Sequence, residues 1–145
     1  MKRRPALRQL SREHHGALVL ALRITRASDA TTVAHLMSTV PDVFARELEP
    51  HFRDEETRLL PGLAAAGADA LVRRTLEEHH LLRGLAAHVA AGDAASLSQF
   101  GEALHAHVMF EERELFPAAE TVLPGEMLDA APPETRATTC RLAPK

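Results

Sequence analysis

The chain has no tryptophan and no tyrosine, one cysteine and five phenylalanines among its 145 residues. Without tyrosine, tyrosyl-radical chemistry is excluded. Cys140 has no second thiol to pair with, so an internal disulfide is excluded and a reducing compartment fits. One thiol is also too few for an iron-sulfur cluster or a soft copper site. The apolar run ALVLAL, Ala17 to Leu22, stops at Arg23 and is too short for a signal core or a membrane span. Neither sign of charge dominates: the formal net charge is -3 and the 17 Lys and Arg are dispersed, which argues against a nucleic-acid surface or a basic membrane-binding face. The expectation is a cytoplasmic protein whose partners are small molecules, with no nucleic acid and no membrane among them.

Histidine, in contrast, is abundant, with nine copies. Two of them open a repeated pattern, HFRDEETRLLP from His51 to Pro61 and HVMFEERELFP from His107 to Pro117, both reading H-x-x-x-E-E-x-x-L-x-P. The match extends upstream, where Phe44 and Leu48 precede His51 at the same offsets as Phe100 and Leu104 precede His107. On a helix turning about 100° per residue, Phe, Leu, His, the first Glu and the next Leu fall within roughly 80° of arc. Each segment therefore sets a His and a Glu inside an apolar stripe. The Phe and Leu residues of that stripe are explained by core packing and receive no ligand role. A buried carboxylate beside a buried imidazole costs several kcal/mol unless paired, and a metal cation is the economical partner.

The length suits one domain, and 46% hydrophobic content suffices for a core. Periodicity predicts helix A from Ala6 to Ala27, a loop or helical turn through Thr31 to Thr39, helix B from Pro41 to Leu60, helix C from Ala68 to Ala91 and helix D from Ala94 to about Phe116. Pro50 favours a kink in helix B, Asp93 is a candidate N-cap for helix D, and Pro61-Gly62, Gly67 and Gly92 punctuate the chain. Short connections favour antiparallel neighbours, so the expected fold is all-α, an up-down-up-down antiparallel four-helix bundle over residues 1–123. Residues 124–145, rich in Pro, Ala and Thr, are expected to form a mobile tail.

Helices A and C each carry a Glu followed by two histidines, Glu13-His14-His15 and Glu78-His79-His80. Adjacent positions differ by about 100°, so one His of each pair faces inward. Leu7, Leu10, Ala17, Leu18 and Ala21 surround His14 on its stripe, and Val72, Thr75, Leu76, Leu82 and Ala86 surround His79, with Arg83 the one misfit. These two are preferred over His15 and His80. His88 and His105 are expected at the surface and His35 in the loop. Glu13, Glu56, Glu78 and Glu112 read most simply as solvated residues, with bonds to ligand histidines for some of them as the alternative. The inner set is then His14, His51, Glu55, His79, His107 and Glu111, enough for two metal ions bridged by the two carboxylates. Imidazole with carboxylate suits iron, and also manganese or zinc.

EHH on helix A, HFRDEETRLLP on helix B, EEHH on helix C and HVMFEERELFP on helix D together resemble the hemerythrin-like, or HHE cation-binding, domain family, over about Leu7 to Pro117. The resemblance implies an up-and-down four-helix bundle with a non-haem di-iron centre, and carries the family's ligand roles onto the same six residues. The oxygen-carrying hemerythrins place a further His four residues after the helix C ligand and an Asp on helix D. Here Arg83 and Glu111 stand there, which is closer to four-His, two-Glu variants. The expected cofactor is two iron ions with an oxo or hydroxo bridge. The expected function is binding or sensing of oxygen, nitric oxide or cellular iron and redox state at open metal positions, a binding module rather than an enzyme. The alternative is a di-iron oxidoreductase acting on nitric oxide or peroxide, or an iron-sulfur cluster repair factor. With no flavin, nucleotide or cysteine redox motif in the chain, turnover would need a separate reductase.

Overall fold

The structure, a computed structural model, describes residues 3–130, and every element among them is helical. The first rod is α1, Pro5–Arg26, with Pro5 at its start, where a missing N–H costs nothing. The second is longer than its sequence pattern suggested. It begins with α2, Ala30–Val43, and runs on through α3, Glu49–Asp54, and α4, Leu60–Ala65. The stretch Thr31 to Thr39, expected as a loop or helical turn, is continuous helix, which Asp29 caps by accepting from Thr32 N at 3.0 Å, and the break at Pro61 does not occur. His35 is accordingly helical, and it is exposed. The third rod is α5, Asp69–Ala90, and the fourth joins α6, Ala94–Phe110, to α7, Phe116–Val122. Asp93 caps α6, as expected, accepting from Ala95 N at 3.2 Å.

The prolines explain how the long rods stay continuous. Five-residue π turns, Phe44–Leu48, Glu55–Leu59 and Glu111–Leu115, join the α segments, and proline stands two residues after the end of each: Pro50, Pro61 and Pro117. A proline ring clashes with the carbonyl four residues back and brings no N–H for it. Opening one turn to the wider i to i+5 pattern relieves both problems without ending the helix. Gly67 and Gly92 end the second and third rods at φ of 89° and 97°, backbone that side chains with a Cβ rarely adopt.

Helix α1 packs along α6, α6 along α5, and α5 along α2. The approach of α1 to α6 is close at Gly101, where a Cβ would meet Ile24 Cγ2 at 2.7 Å. Two apolar clusters fill the interior. One holds Leu20, Ile24, Phe44, Phe52, Leu82 and Phe100, the other Leu7, Leu10, Leu59, Phe110 and Phe116. Phe44, Leu48, Phe100 and Leu104 are buried in the first, as packing alone predicts. Along every rod a residue of the His and Glu set stands between the two clusters, so a polar layer crosses the middle of the core. Pro124 to Ala130, the first residues of the expected tail, include the short helix α8, Gly125–Leu128, whose Leu128 joins the second cluster. The remainder of that tail, Cys140 included, lies outside the described residues. No helix among the described residues is long and apolar enough to cross a membrane.

Candidate metal centre

All six residues selected by helix face meet in the polar layer, each at most 3% exposed: His14, His51, Glu55, His79, His107 and Glu111. His15, His80, His88 and His105 are exposed, whereas His14 and His79 are buried. The six form two overlapping groups able to hold a metal ion, His14, His51, Glu55 and Glu111, and Glu55, His79, His107 and Glu111, with the donor atoms of each within 4.8 Å of one another. Each group takes its two histidines from one hairpin and shares both carboxylates.

The shared carboxylates offer one oxygen to each group. Glu55 Oε2 lies 3.0 Å from His51 Nε2, while its Oε1 lies 3.0 Å from His79 Nε2. Glu111 repeats this, with Oε1 at 2.9 Å from His14 Nε2 and Oε2 at 3.0 Å from His107 Nε2. Octahedral coordination with bonds of about 2.1 Å requires neighbouring donors about 3.0 Å apart, so these spacings suit such an ion. His51 Nε2, Glu55 Oε2, His107 Nε2 and Glu111 Oε2 are buried and make no hydrogen bond, since the close approaches within each pair lie off the line of one. Leaving four such atoms unmatched would cost about 1–3 kcal/mol each. A cation at each group would satisfy them, and the donor set therefore fits the metals that its chemistry implies.

The outward nitrogens correct the expectation that Glu13, Glu56, Glu78 and Glu112 are solvated surface residues. His51 Nδ1 donates to Glu13 at 2.7 Å, His79 Nδ1 to Glu56 at 2.6 Å, His107 Nδ1 to Glu78 at 2.7 Å and His14 Nδ1 to Glu112 at 2.6 Å. Every histidine thus takes its carboxylate from a different rod, and the four bonds close a ring through first, second, third and fourth rods back to the first. An ionised carboxylate can only accept, so each Nδ1 carries a proton and each Nε2 faces the centre. The legible signal was adjacency: each of these Glu residues is next in sequence to a ligand, about 100° from the inward face, where a side chain meets the neighbouring helix rather than water.

Electrostatics follow from this crowding. Burial pulls the histidines down, but Glu111 and Glu55 outweigh it, so His79 is pushed up to about 9 and His107 to about 10. His14 and His51 are raised as well, against burial, by Glu111 and Glu112 for the first and by Glu55 and Glu13 for the second. Burial would raise the carboxylates, yet His107 and its neighbours hold Glu111 well below the usual range, and His14, Ser11 and Arg3 bring Glu112 down to about 2. Without metal, the centre binds protons where cations belong.

A small cavity reaches the centre from one side. It measures about 10 Å3, room for roughly one water-sized molecule. His14, His51 and His107 line it together with Glu13, Glu47 and the apolar Ala17, Leu48, Phe52, Leu104 and Val108. No curated protein and no solved structure matches the chain. Residues 6–123 match the family model described as the Hemerythrin HHE cation binding domain, and the chain belongs to that family.

Proposed function

We propose that this chain is a non-haem di-iron protein that binds or senses a small diatomic ligand, oxygen or nitric oxide, or the cell's iron and redox state, in the cytoplasm. In this reading the four rods form an up-down-up-down antiparallel bundle. His14 and His51 would hold one iron and His79 and His107 the other, with Glu55 and Glu111 shared between the two groups. Bound iron would supply a Lewis-acidic, redox-active position with open coordination for the ligand.

The observation that carries this reading is the cavity against His14, His51 and His107, which accommodates one water-sized molecule and little more. Its walls, Ala17, Leu48, Leu104 and Val108, keep bulk water from the histidines, and Phe52 closes it beside His51. The protein contributes a rigid cage. Glu13, Glu56, Glu78 and Glu112 hold the rings in orientation and keep the Nδ1 protons in place. Binding rather than turnover is favoured because no electron-transfer group accompanies the centre in the sequence, so reduction of nitric oxide or peroxide would depend on a separate reductase.

Metal analysis of the protein as isolated, with absorption spectra under anaerobic, aerobic and nitric oxide atmospheres, tests this. Two irons per chain and a spectrum that changes with gas are expected. Iron-loaded protein indifferent to both gases would refute the ligand-binding role.

A further inference from the structure

Two arginines make the same unusual arrangement on opposite sides of the centre. Arg83 donates through Nη1 and Nη2 to Glu56 at 2.9 and 3.2 Å, and Glu56 accepts from His79. The same guanidinium lies 5.6 Å over the ring of Phe52, which stacks on His79 at 4.1 Å with 12° between planes. Arg3 donates to Glu112 Oε1 at 3.1 Å, Glu112 accepts from His14, and Arg3 lies 5.6 Å over Phe116, which stacks on His14 at 5.2 Å and 8°. Each unit is a closed loop of guanidinium, carboxylate, imidazole and phenyl ring.

The internal repeat does not produce this likeness. The position matching Arg83 in the first hairpin is Leu18, that matching Phe52 is Val108, and that matching Phe116 is Leu60. The repeat relates the Glu and the His of the two units, Glu56 to Glu112 and His79 to His14, but the Arg and Phe that complete each unit come from positions it does not relate, once for each metal group. Core packing requires no such coincidence, because any apolar side chain could cover Phe52 or Phe116.

We propose that Arg3 and Arg83 are positioning residues, each fixing one histidine of one metal group and setting the affinity and reduction potential of that metal. This rests on the di-metal reading. The carboxylate bond fixes the rotation of the imidazole and the stacked phenyl ring fixes its tilt, so Nε2 is aimed at the centre before metal replaces its proton. Arg83 is itself held by Glu49, at 2.8 and 3.0 Å, and Arg3 by Glu120 at 3.0 Å and the Glu112 carbonyl at 2.7 Å. A fixed positive charge behind the carboxylate disfavours the more highly charged oxidised metal and raises its potential.

Arg83→Met and Arg3→Met keep the apolar stem and remove the charge; Arg83→Lys keeps the charge and loses the two-pronged hold. Anaerobic titration of metal-free full chain with ferrous iron, followed by redox titration of the loaded protein, reads both effects. Each Met variant is expected to weaken one of the two metals about 10–100-fold. It also lowers one of the two one-electron steps by about 59 mV, a tenfold shift. Arg83→Lys restores the potential more than the affinity. Unshifted potentials in both Met variants would leave only a structural role and overturn the proposal, as would Lys behaving like Met. If Arg83→Met fails to fold, Arg3→Met, at the edge of the bundle, decides alone. Wild-type chain that takes up no metal refutes the di-metal reading and this inference with it, whereas two metals in wild type with unchanged variants refutes this inference only.

Discussion

Replacing Glu112 by glutamine tests the ring of carboxylates at one bond. Glutamine keeps the shape and an acceptor oxygen at the 2.6 Å contact to His14 Nδ1, and loses the charge together with the Oε1 acceptor that Arg3 uses at 3.1 Å. Glu112 ionises at about 2 in the folded chain against 4.5 ordinarily, a difference that corresponds to roughly 3 kcal/mol in favour of the folded state. Glu112 is partly exposed, and solvent screening reduces this to about 1–2 kcal/mol. The folded value is depressed, so the contribution is present above the unfolded value of 4.5 and disappears as pH falls toward 2. Glu112→Gln should therefore lower the urea midpoint of metal-free protein at pH 7 but not at pH 2. In the metal-loaded protein, loss of a charged partner behind a ligand histidine should weaken one metal about 10–100-fold, read by chelator competition. A variant with wild-type metal affinity and wild-type stability at pH 7 would refute the claim that these carboxylates orient the ligands.

Four further outcomes follow from the same geometry. His51→Ala removes a donor from one group only and should leave one metal per chain, whereas Glu55→Ala or Glu111→Ala removes a donor shared by both and should leave neither bound tightly, as measured by elemental analysis. His79 and His107 are raised to about 9 and 10, so the stability they contribute is complete below the unfolded value of 6.5 and is lost as pH rises through 9 and 10. The resistance of metal-free protein to urea should fall across that interval, while that of metal-loaded protein, whose imidazoles are deprotonated at Nε2, should stay level. Ala17→Val fills the cavity and should abolish the spectral response to nitric oxide with both metals retained; an unaltered response would place the ligand elsewhere. Gly101→Ala sets a Cβ 2.7 Å from Ile24 Cγ2 and should cost about 1–3 kcal/mol by overpacking, visible as a lower melting temperature in circular dichroism.

The inward ligands were legible because each is decided within one helix. His14 is centred among Leu7, Leu10, Ala17 and Ala21, and His51 and Glu55 share a stripe with Leu48; the 3.6-residue period alone sorts these from His15, His80 and Glu56. The repeat then doubles the evidence by presenting the same face at His107 and Glu111. Helix ends were less legible. The loop or helical turn expected at Thr31 to Thr39 and the stop expected at Pro61 are both continuous helix, because a cap at Asp29 and π turns ahead of Pro50, Pro61 and Pro117 override what propensity suggests.

Sequence by itself therefore determined the all-helical class and the six buried donors, since those follow from a local period. Tertiary structure alone decided that Glu13, Glu56, Glu78 and Glu112 close a ring around the four histidines, and that Arg3 and Arg83 stand behind two of them. A residue on the flank of a helix has no fate of its own. Whether it meets water or an imidazole depends on which rod lies beside it and at what height, and the pattern along one helix carries neither.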